Sequence, residues 1–513
     1  MRRIVLALFV AFITATPALA AKIAIRIDQG VLNGETEDDV QVFRGIPFAA
    51  PPIGDLRWRA PQPAPNWTGA REATDFGPIC PQIPREYTKG LKQSEDCLSL
   101  NVWTPNTTSS AKLPVMVWIY GGAFVNGGSA MQFYDGTDLA KRGVVIVSFN
   151  YRLGELGFFA HPALASEHMA DEATGNFGLL DQIAALKWVQ KNIATFGGDP
   201  GNVTIFGESA GGMSVNDLVA SPMARGLFAK AISQSGLGLN EIPSLQKAQQ
   251  ASTEWGTAMG VTGSDAEALA RLRALKVDDI LKHRATETTE GNIAPFIDGK
   301  VVTGQVSVLF ARGDIAKVPY IAGSNSNEAS LARAIGSDPV KDLSKFGDAL
   351  PKVRAIYEAD GKLSDEEFGR QVFGDSLFTA AAQALAGFVV EAGEPARVYH
   401  FAYVADHYKG KVSGVSHGGE IPFVFGFRGL GFLGHFASDA DRKVAMEMGD
   451  YWTNFAKTGD PNGAGLPEWP AFSLAAQQTL VVGDTIAAVA DFRKGQVGVM
   501  TARWGQRVGM TAP

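Results

Sequence analysis

Short runs of apolar and β-branched residues, each ending at a glycine or a polar residue, recur along the chain. The run at 115–119 contains no polar residue and the run at 144–149 contains only Ser148, as is typical of parallel strands that are buried on both faces. Further runs rich in apolar residues predict strands at 203–206, 320–322 and 398–404.

Between these runs, apolar residues recur at helical spacing. Leu179, Ile183 and Leu186 belong to one such series, which predicts a helix that ends near Gly197. The segments at about 244–290 and 350–387 also read as helical, and we interpret them as insertions that cover the sheet. Strands that alternate with helices predict an α/β fold with a mainly parallel sheet flanked by helices. Ligands bind beyond the carboxyl ends of such strands, so the insertions either shape a pocket there or only pack against the sheet.

The composition agrees with a folded globular protein. Of the 513 residues, 46% are hydrophobic and 19% are charged, which excludes a disordered chain. The net charge is −7, so the chain has no basic excess with which to bind nucleic acid. No linker divides the sequence, and we expect residues 21–513 to form one domain.

The first twenty residues have the layout of a secretory signal peptide. Arg2 and Arg3 precede an apolar run at 4–13, and the small residues Ala18 and Ala20 frame a cleavage site. The alternative is an uncleaved anchor, but the run is shorter than the ~20 residues that span a bilayer, and no other stretch is long enough. We therefore expect an exported protein, periplasmic or secreted, with a mature chain that begins at Ala21 and no stable membrane insertion.

The chain contains two cysteines, Cys80 and Cys97. In an oxidising compartment such a pair forms a disulfide, although two buried free thiols are the alternative. No His/Cys cluster or His-Glu-x-x-His spacing suggests a metal site. We predict neither a metal nor a cofactor.

The motif Gly-x-Ser-x-Gly occurs twice, centred on Ser209 and on Ser416. A nucleophile elbow requires a strand before the serine and a helix after it, with small neighbours that allow the strained turn. The predicted strand at 203–206 and the small residues after Ser209 meet this requirement, whereas Ser416 follows a polar stretch. The sequence therefore favours Ser209 as a nucleophile.

A serine nucleophile needs a base, and the chain has seven histidines. His417 follows the last predicted strand and lies between two small residues, in a loop that could bring it over the sheet. An acid placed between Ser209 and His417 in the sequence would complete the order Ser, acid, His, and Glu328 follows the predicted strand at 320–322. A surface carboxylate is the alternative interpretation of Glu328.

Many separate segments together resemble the type-B carboxylesterases, the family of bacterial p-nitrobenzyl-type esterases, animal carboxylesterases and cholinesterases. The similar segments occur in the same order as in the family and lie at 42–49, 95–102, 118–124, 150–152, 176–182, 206–212, 234–236, 323–328, 417–426 and 452–461. The resemblance covers nearly all of the mature chain. It implies an α/β-hydrolase fold with helical insertions around an active-site gorge, and a serine hydrolase that cleaves carboxylic esters without a cofactor.

The resemblance also implies a role for particular residues. Ser209 matches the nucleophile, Glu328 the triad acid and His417 the base. The backbone N–H groups of three residues match the oxyanion hole, namely Gly122, Ala123 and Ala210. Supporting roles fall on Glu208, beside the nucleophile, and on Ser235, next to the acid.

Three structural pairings follow from the same resemblance. Cys80 and Cys97 match the first disulfide of the family. Two ion pairs are expected, Arg44 with Glu95 and Arg152 with Asp181.

The resemblance leaves the substrate open within small-molecule esters. The segment between the two cysteines contains no tryptophan that could bind a quaternary ammonium group, and its basic residues Arg85, Lys89 and Lys92 would repel a cation. Choline esters are therefore disfavoured. A carbamate, an amide or a specialised ester, such as that of a polycarboxylate, is the enzymatic alternative, and a binding protein that has lost catalysis is the non-enzymatic one. The sequence carries no sign of the oligomeric state.

Overall fold

The computed structural model describes residues 23–167, 173, 175–284 and 293–510. The predicted signal peptide, residues 1–20, lies outside the described residues. Within them the chain alternates between strands and helices as the sequence predicts.

The strands of the described residues form a thirteen-stranded sheet. They are β1 (Ile23–Ile27), β2 (Gly30–Glu37), β3 (Val40–Pro47), β4 (Ala70–Glu72), β5 (Ser99–Thr104), β6 (Leu113–Ile119), β7 (Val145–Phe149), β8 (Gly198–Glu208), β9 (Lys230–Gln234), β10 (Tyr320–Asn325), β11 (Ala396–Phe401), β12 (Thr479–Val482) and β13 (Ile486–Val489). Their spatial order is β1-β2-β3-β5-β7-β6-β8-β9-β10-β11-β12-β13, and β4 pairs with β2.

The centre of the sheet, from β7 through β6, β8, β9, β10 and β11 to β12, is parallel, and the two ends are antiparallel. This confirms the predicted mainly parallel sheet. All five predicted strands lie in the parallel part. The sequence did not reveal the edge strands or β9, whose ends, Lys230 and Gln234, are polar but buried. A polar side chain that finds its partner only in the folded protein interrupts the apolar run that sequence reading depends on.

The α-helices lie between the strands and after them. They are α1 (Thr137–Ala140), α2 (Gly154–Gly157), α3 (Phe177–Asn192), α4 (Ala210–Ala220), α5 (Leu245–Ala258), α6 (Ala266–Arg273), α7 (Val277–Arg284), α8 (Val306–Ala311), α9 (Pro339–Asp342), α10 (Leu350–Tyr357), α11 (Asp365–Gly374), α12 (Ala380–Glu391), α13 (Ile421–Phe425), α14 (Asp439–Thr458) and α15 (Lys494–Val508). A short π-helical segment, Asp375–Thr379, joins α11 to α12.

Helix α3 is the helix predicted before Gly197, but it is buried on more than one face. Twelve of its sixteen residues are buried, including Asp181. The Asp181 carboxylate accepts hydrogen bonds from Nε and Nη2 of Arg152 at 2.8 and 2.7 Å, so the expected ion pair is present. A buried charge is tolerated when it is paired in this way.

The second predicted ion pair is wrong. Arg44 lies on β3 beside the β2 strand and contacts Glu35 and Glu37, each at 2.7 Å. Glu95 is instead bound by Arg57, with an Nη2 to Oε2 distance of 2.6 Å. Sequence similarity identified Glu95 as paired but assigned it the wrong arginine, because the pairing depends on which residues the tertiary fold brings next to each side chain.

The helical segment at 350–387 was predicted to be an insertion, but part of it belongs to the core of the fold. Helix α12 packs against β10 and β11, and nearly all of its residues are buried, so it is a core layer of the fold. The continuous helix Asp365–Glu391 is long and apolar enough to cross a membrane, but 83% of its most apolar window is buried inside the protein. That burial is typical of a core helix.

An aromatic cluster packs the C-terminal part of the chain against the centre of the sheet. Phe425 of α13 lies 4.9 Å from the ring of Trp118 on β6, and 5.7 Å from the ring of Phe206 on β8. Aromatic pairs at these distances add stability beyond their buried area. The cluster therefore holds the segment before α13, which includes His417, close to the end of β8.

Cys80 and Cys97 form a disulfide, and both residues are buried. The prediction of a bridge rather than two free thiols is confirmed. The bridge closes a segment of seventeen residue positions that the fold otherwise holds mostly through turns. We call residues 80–97 the disulfide loop.

Replacing both cysteines in Cys80→Ala/Cys97→Ala should lower the free energy of unfolding by about 3 kcal/mol, because the unfolded chain regains the entropy that the cross-link removes. Equilibrium unfolding in urea measures the change. Dithiothreitol should destabilise the wild type by a similar amount and leave the double variant unaffected. A loss below about 1 kcal/mol would show that the bridge adds little to the fold.

Candidate active site

Ser209 occupies the turn between β8 and α4. Its backbone has φ 57° and ψ −122°, outside the regions that most residues adopt. A non-glycine residue costs roughly 1–3 kcal/mol in such a conformation. The turn is tight enough that a Cβ on Gly211 would collide with the carbonyl oxygen of Ile119. This is the strand–serine–helix geometry that the sequence predicts for Ser209.

Ser416, the centre of the second motif, lies in a different setting. It is exposed, and its backbone pairs with Asn327 in an isolated bridge. The residues before it form turns rather than a strand. Ser416 therefore lacks the elbow that would present its hydroxyl as a nucleophile.

Glu328 and His417 are in direct contact. The distance from Oε2 of Glu328 to Nδ1 of His417 is 2.6 Å. The other carboxylate oxygen accepts hydrogen bonds from the hydroxyl of Ser235 and the backbone N–H of Asn325, each at 2.6 Å. Ser235 follows β9 and Asn325 ends β10, so the carboxyl ends of two neighbouring strands hold the carboxylate. The Glu328 side chain is 0% exposed.

The second ring nitrogen of His417 faces the serine turn. Its Nε2 lies 3.2 Å from Oε1 of Glu208, the residue immediately before Ser209. Nε2 is buried and makes no hydrogen bond to any of the described residues. The structure thus brings His417, Glu328 and Glu208 together, and Glu208 joins this group to Ser209.

The charges around His417 shift the pKa of the imidazole upward. Burial alone would lower this pKa, but the carboxylates of Glu208 and Glu328 stabilise the imidazolium and outweigh burial. Burial also raises the pKa of Glu208, and the nearby carboxylates of Glu420 and Glu328 add to that shift. The two residues therefore titrate as a coupled pair, because the charge on each one shifts the pKa of the other.

Glu420, for which the sequence analysis predicts no role, also belongs to this cluster. It is fully buried, and it accepts hydrogen bonds from the side-chain amides of Gln234, at 2.9 Å, and of Asn325. Burial raises its pKa, although the two amide bonds oppose the shift. A carboxylate directly before the apolar helix α13 is the one sequence signal that could have identified it.

A glycine-rich loop after β6 lies against the serine turn. We call residues 121–127 the glycine loop. A Cβ on Gly121 would lie 2.9 Å from Cβ of Ser209, so only a glycine allows this approach. Gly122, Ala123 and Phe124 have φ values of 110°, 54° and 61°. Two of these residues carry side chains, so the loop holds a conformation that is costly for them.

Three backbone N–H groups belong to the glycine loop and the serine turn, which lie against each other. Ala210 is the first residue of α4, so its N–H has no partner within the helix. In the described part of the chain, Gly122 uses its carbonyl oxygen to accept from Val125 and Asn126, at 3.0 and 3.1 Å. No hydrogen bond is recorded there for the N–H groups of Gly122, Ala123 or Ala210. Such groups can stabilise negative charge on an oxygen bound between them.

This arrangement can perform nucleophilic catalysis by serine. It combines a serine on a strained turn, an imidazole with one nitrogen facing that turn, a carboxylate on the other nitrogen, and backbone N–H groups that have no partner among the described residues. Among the described residues, no group of three or more His, Cys, Asp or Glu side chains could hold a metal ion.

The fold and this site define an α/β hydrolase. The model of the carboxylesterase family matches residues 21–498. The chain belongs to the carboxylesterase family, and its class of activity is the hydrolysis of carboxylic esters.

Curated relatives match over most of their length. The para-nitrobenzyl esterase of Bacillus subtilis (strain 168) is 37% identical over 477 residues, which cover 89% of this chain and 94% of that protein. The fumonisin B1 esterase of Sphingopyxis macrogoltabida is 37% identical over 484 residues, which cover 90% and 87%. The solved structure of a thermophilic PNB esterase superimposes with a TM-score of 0.81 at 32% identity, covering 93% of this chain and 99% of that one.

The electrostatic coupling in the site predicts how one substitution shifts a measurable pKa. In Glu208→Gln the carboxylate that stabilises the His417 imidazolium is lost, so the pKa of His417 should fall below its wild-type value. NMR titration of ¹³C-labelled histidine measures this, with the His417 signal assigned from the spectrum of His417→Gln. Glu267→Gln, on the exposed surface of α6, is the matched control and should leave the titration unchanged. An equal or higher pKa in Glu208→Gln would contradict the coupling.

Proposed function

We propose that this protein is an exported serine esterase in which Ser209 is the nucleophile, His417 the general base and Glu328 the carboxylate that orients His417. The observation that carries the proposal is the 2.6 Å contact between Glu328 and His417, which leaves Nε2 turned toward the serine turn. Nε2 makes no hydrogen bond within the described part of the chain, and catalytic hydrogen bonds are often long in a free enzyme and tighten when substrate binds.

The reaction proceeds in two halves. His417 takes the proton of the Ser209 hydroxyl as the oxygen attacks the ester carbonyl carbon, and a tetrahedral intermediate forms. The imidazolium then donates this proton to the departing alkoxide, and the alcohol leaves. Water, deprotonated by His417, attacks the acyl-enzyme in the second half, and the acid is released as Ser209 regains its proton.

The negative oxygen of each tetrahedral intermediate binds to the N–H groups of Gly122, Ala123 and Ala210. These donors are fixed before the substrate arrives, so no reorganisation is needed when charge develops. The donor at Ala123 is its backbone N–H, so the identity of the side chain at this position does not affect it.

Glu208 and Ser235 support this chemistry from either side of the imidazole. The Glu208 carboxylate lies 3.2 Å from Nε2, where it stabilises the imidazolium that forms during acylation. The Ser235 hydroxyl holds the Glu328 carboxylate in place. The Glu328 carboxylate in turn orients the His417 ring and stabilises the positive charge of the imidazolium.

The substrates we propose are small neutral esters. Arg85, Lys89 and Lys92 of the disulfide loop are exposed to solvent, where their charges are screened and select weakly for an anionic substrate. The relatives include a para-nitrobenzyl esterase and a fumonisin B1 esterase, which supports an ester as the substrate.

Ser209→Ala should lower kcat for p-nitrophenyl butyrate by about 10⁴-fold or more, because the covalent route is lost. Glu328→Gln should lower it by about 10³- to 10⁴-fold, because the imidazole loses its orientation and its counter-charge. Hydrolysis is followed by release of p-nitrophenolate from the acetate, butyrate and octanoate, and the trend with chain length sizes the acyl pocket.

Ser416→Ala is the matched control for Ser209→Ala, since both serines occupy the same sequence motif, and it should keep full activity. A fluorophosphonate should label wild type and Ser416→Ala but not Ser209→Ala. If Ser209→Ala is as active as wild type, the assignment of the nucleophile is wrong.

Export is the second part of the proposal. The disulfide between Cys80 and Cys97 supports an oxidising location, and residues 1–20 have the composition of a signal peptide. Expression of the full chain in a Gram-negative host should give a periplasmic or secreted protein whose first residue, by N-terminal sequencing, is Ala21. Recovery of the chain from the cytoplasm with Met1 intact would contradict export.

A further inference from the structure

The glycine loop holds its strained backbone against the serine turn without a regular secondary structure of its own. Gly122 and Gly127 have φ values of 110° and 115°, and Ala123 and Phe124 between them also have positive φ. Strain of this kind persists only where surrounding contacts over-determine the backbone. Some of these contacts come from the other side of the site, from the disulfide loop.

Gln82 of the disulfide loop forms two hydrogen bonds with the C-terminal end of the glycine loop. Its side-chain amide donates to the carbonyl oxygen of Gly127 at 2.7 Å and accepts from the N–H of Gly127 at 2.8 Å. The residue is 1% exposed. Both partners are buried, so water cannot replace either hydrogen bond. Losing one of the bonds would leave a buried polar group unsatisfied.

Tyr87 contacts the glycine loop one residue earlier. Its hydroxyl donates to Oδ1 of Asn126. A Cβ on Gly122 would lie 2.8 Å from the same Oδ1 and would collide with the carbonyl oxygen of Asn126. The Tyr87 bond therefore fixes the group that packs directly against Gly122.

Hydrogen bonds within the disulfide loop hold Gln82 in place. The amide of Gln82 also donates to the carbonyl oxygen of Cys80 at 2.9 Å, and its backbone N–H donates to Oε1 of Gln93 at 2.9 Å. The bridge to Cys97 closes the base of the loop. Gln82 thus links the glycine loop to a segment whose own position is restrained by a covalent bridge.

We infer that Gln82 and Tyr87 are positioning residues that aim the backbone donors of Gly122 and Ala123 at the developing oxyanion. The inference rests on the proposed function, since it assigns these two side chains to the oxyanion hole of that mechanism. Neither residue needs to touch the substrate for this effect. Their contribution is to transition-state stabilisation rather than to ground-state binding, so it should appear in kcat.

The test removes each contact with little change in volume. Gln82→Leu removes both bonds to Gly127, and we expect kcat for p-nitrophenyl butyrate to fall about 10-fold or more with KM changed less than about two-fold. Tyr87→Phe removes one hydroxyl and should lower kcat about three-fold. Lys89→Ala, in the same loop but without a side-chain contact to the glycine loop, is the matched control and should match wild type.

Two further measurements distinguish misplaced backbone donors from a loss of folded enzyme. Active sites are titrated with a fluorophosphonate, so that kcat is expressed per reactive serine. The dissociation constant of a trifluoromethyl ketone of matching chain length, which forms a tetrahedral adduct, should rise by the same factor by which kcat/KM falls. Enzyme that is merely unfolded would lower the titre and leave this constant unchanged.

A double-mutant cycle tests the route from Tyr87 to the donors. If Tyr87 acts through Asn126, then Tyr87→Phe should have no further effect on kcat in an Asn126→Ala background. Asn126→Asp keeps an acceptor for the hydroxyl and should preserve the effect of Tyr87→Phe.

Wild-type kcat and ketone affinity in Gln82→Leu, with only the melting temperature lowered, would overturn the inference. Additive effects of Tyr87→Phe and Asn126→Ala would overturn the part assigned to Tyr87. These failures differ from failure of the proposed function, which appears as activity that survives Ser209→Ala. The inference is judged only on activity that Ser209→Ala abolishes.

Discussion

A carboxylate with no exposure to solvent, that of Glu328, is the constraint on which the site depends. An ionised group in the protein interior is stable only when hydrogen bonds or counter-charges replace water. Here the replacements are the Ser235 hydroxyl, the N–H of Asn325 and the His417 ring. Satisfying one carboxylate therefore joins the ends of β9 and β10 to the loop that carries His417.

The same requirement produces the electrostatic character of the site. Three buried glutamates, Glu208, Glu328 and Glu420, surround one imidazole, and burial is the main cause of the raised pKa of Glu208 and of Glu420. Crowding carboxylates in this way costs stability in the resting protein. It also provides a pre-formed environment that favours the imidazolium, the state that an acyl transfer creates transiently.

Backbone strain is the second cost that the site imposes on the fold. Ser209, Ala123 and Phe124 all have positive φ although none is glycine. The parallel sheet compensates on one side, because β6 and β8 are adjacent and hold both turns at their carboxyl ends. On the other side the disulfide loop packs against the glycine loop, so a covalent cross-link far from the serine in sequence stabilises the geometry next to it.

Sequence alone was enough for the elements whose signal lies in a short stretch of chain. The apolar runs predicted five of the seven strands in the parallel part, and the small residues after the strand at 203–206 distinguished Ser209 from Ser416, because an elbow depends on its immediate neighbours. The positions of Glu328 and His417 after predicted strands made them candidates, and resemblance to the family assigned them the roles of acid and base. Only the tertiary structure decided that Arg57, rather than Arg44, pairs with Glu95, that Glu420 belongs to the charged cluster, and that Gln82 reaches Gly127. Those contacts join residues that are far apart in the chain, and hydrogen bonds and ion pairs form only where the packing of the sheet brings their partners within about 3 Å.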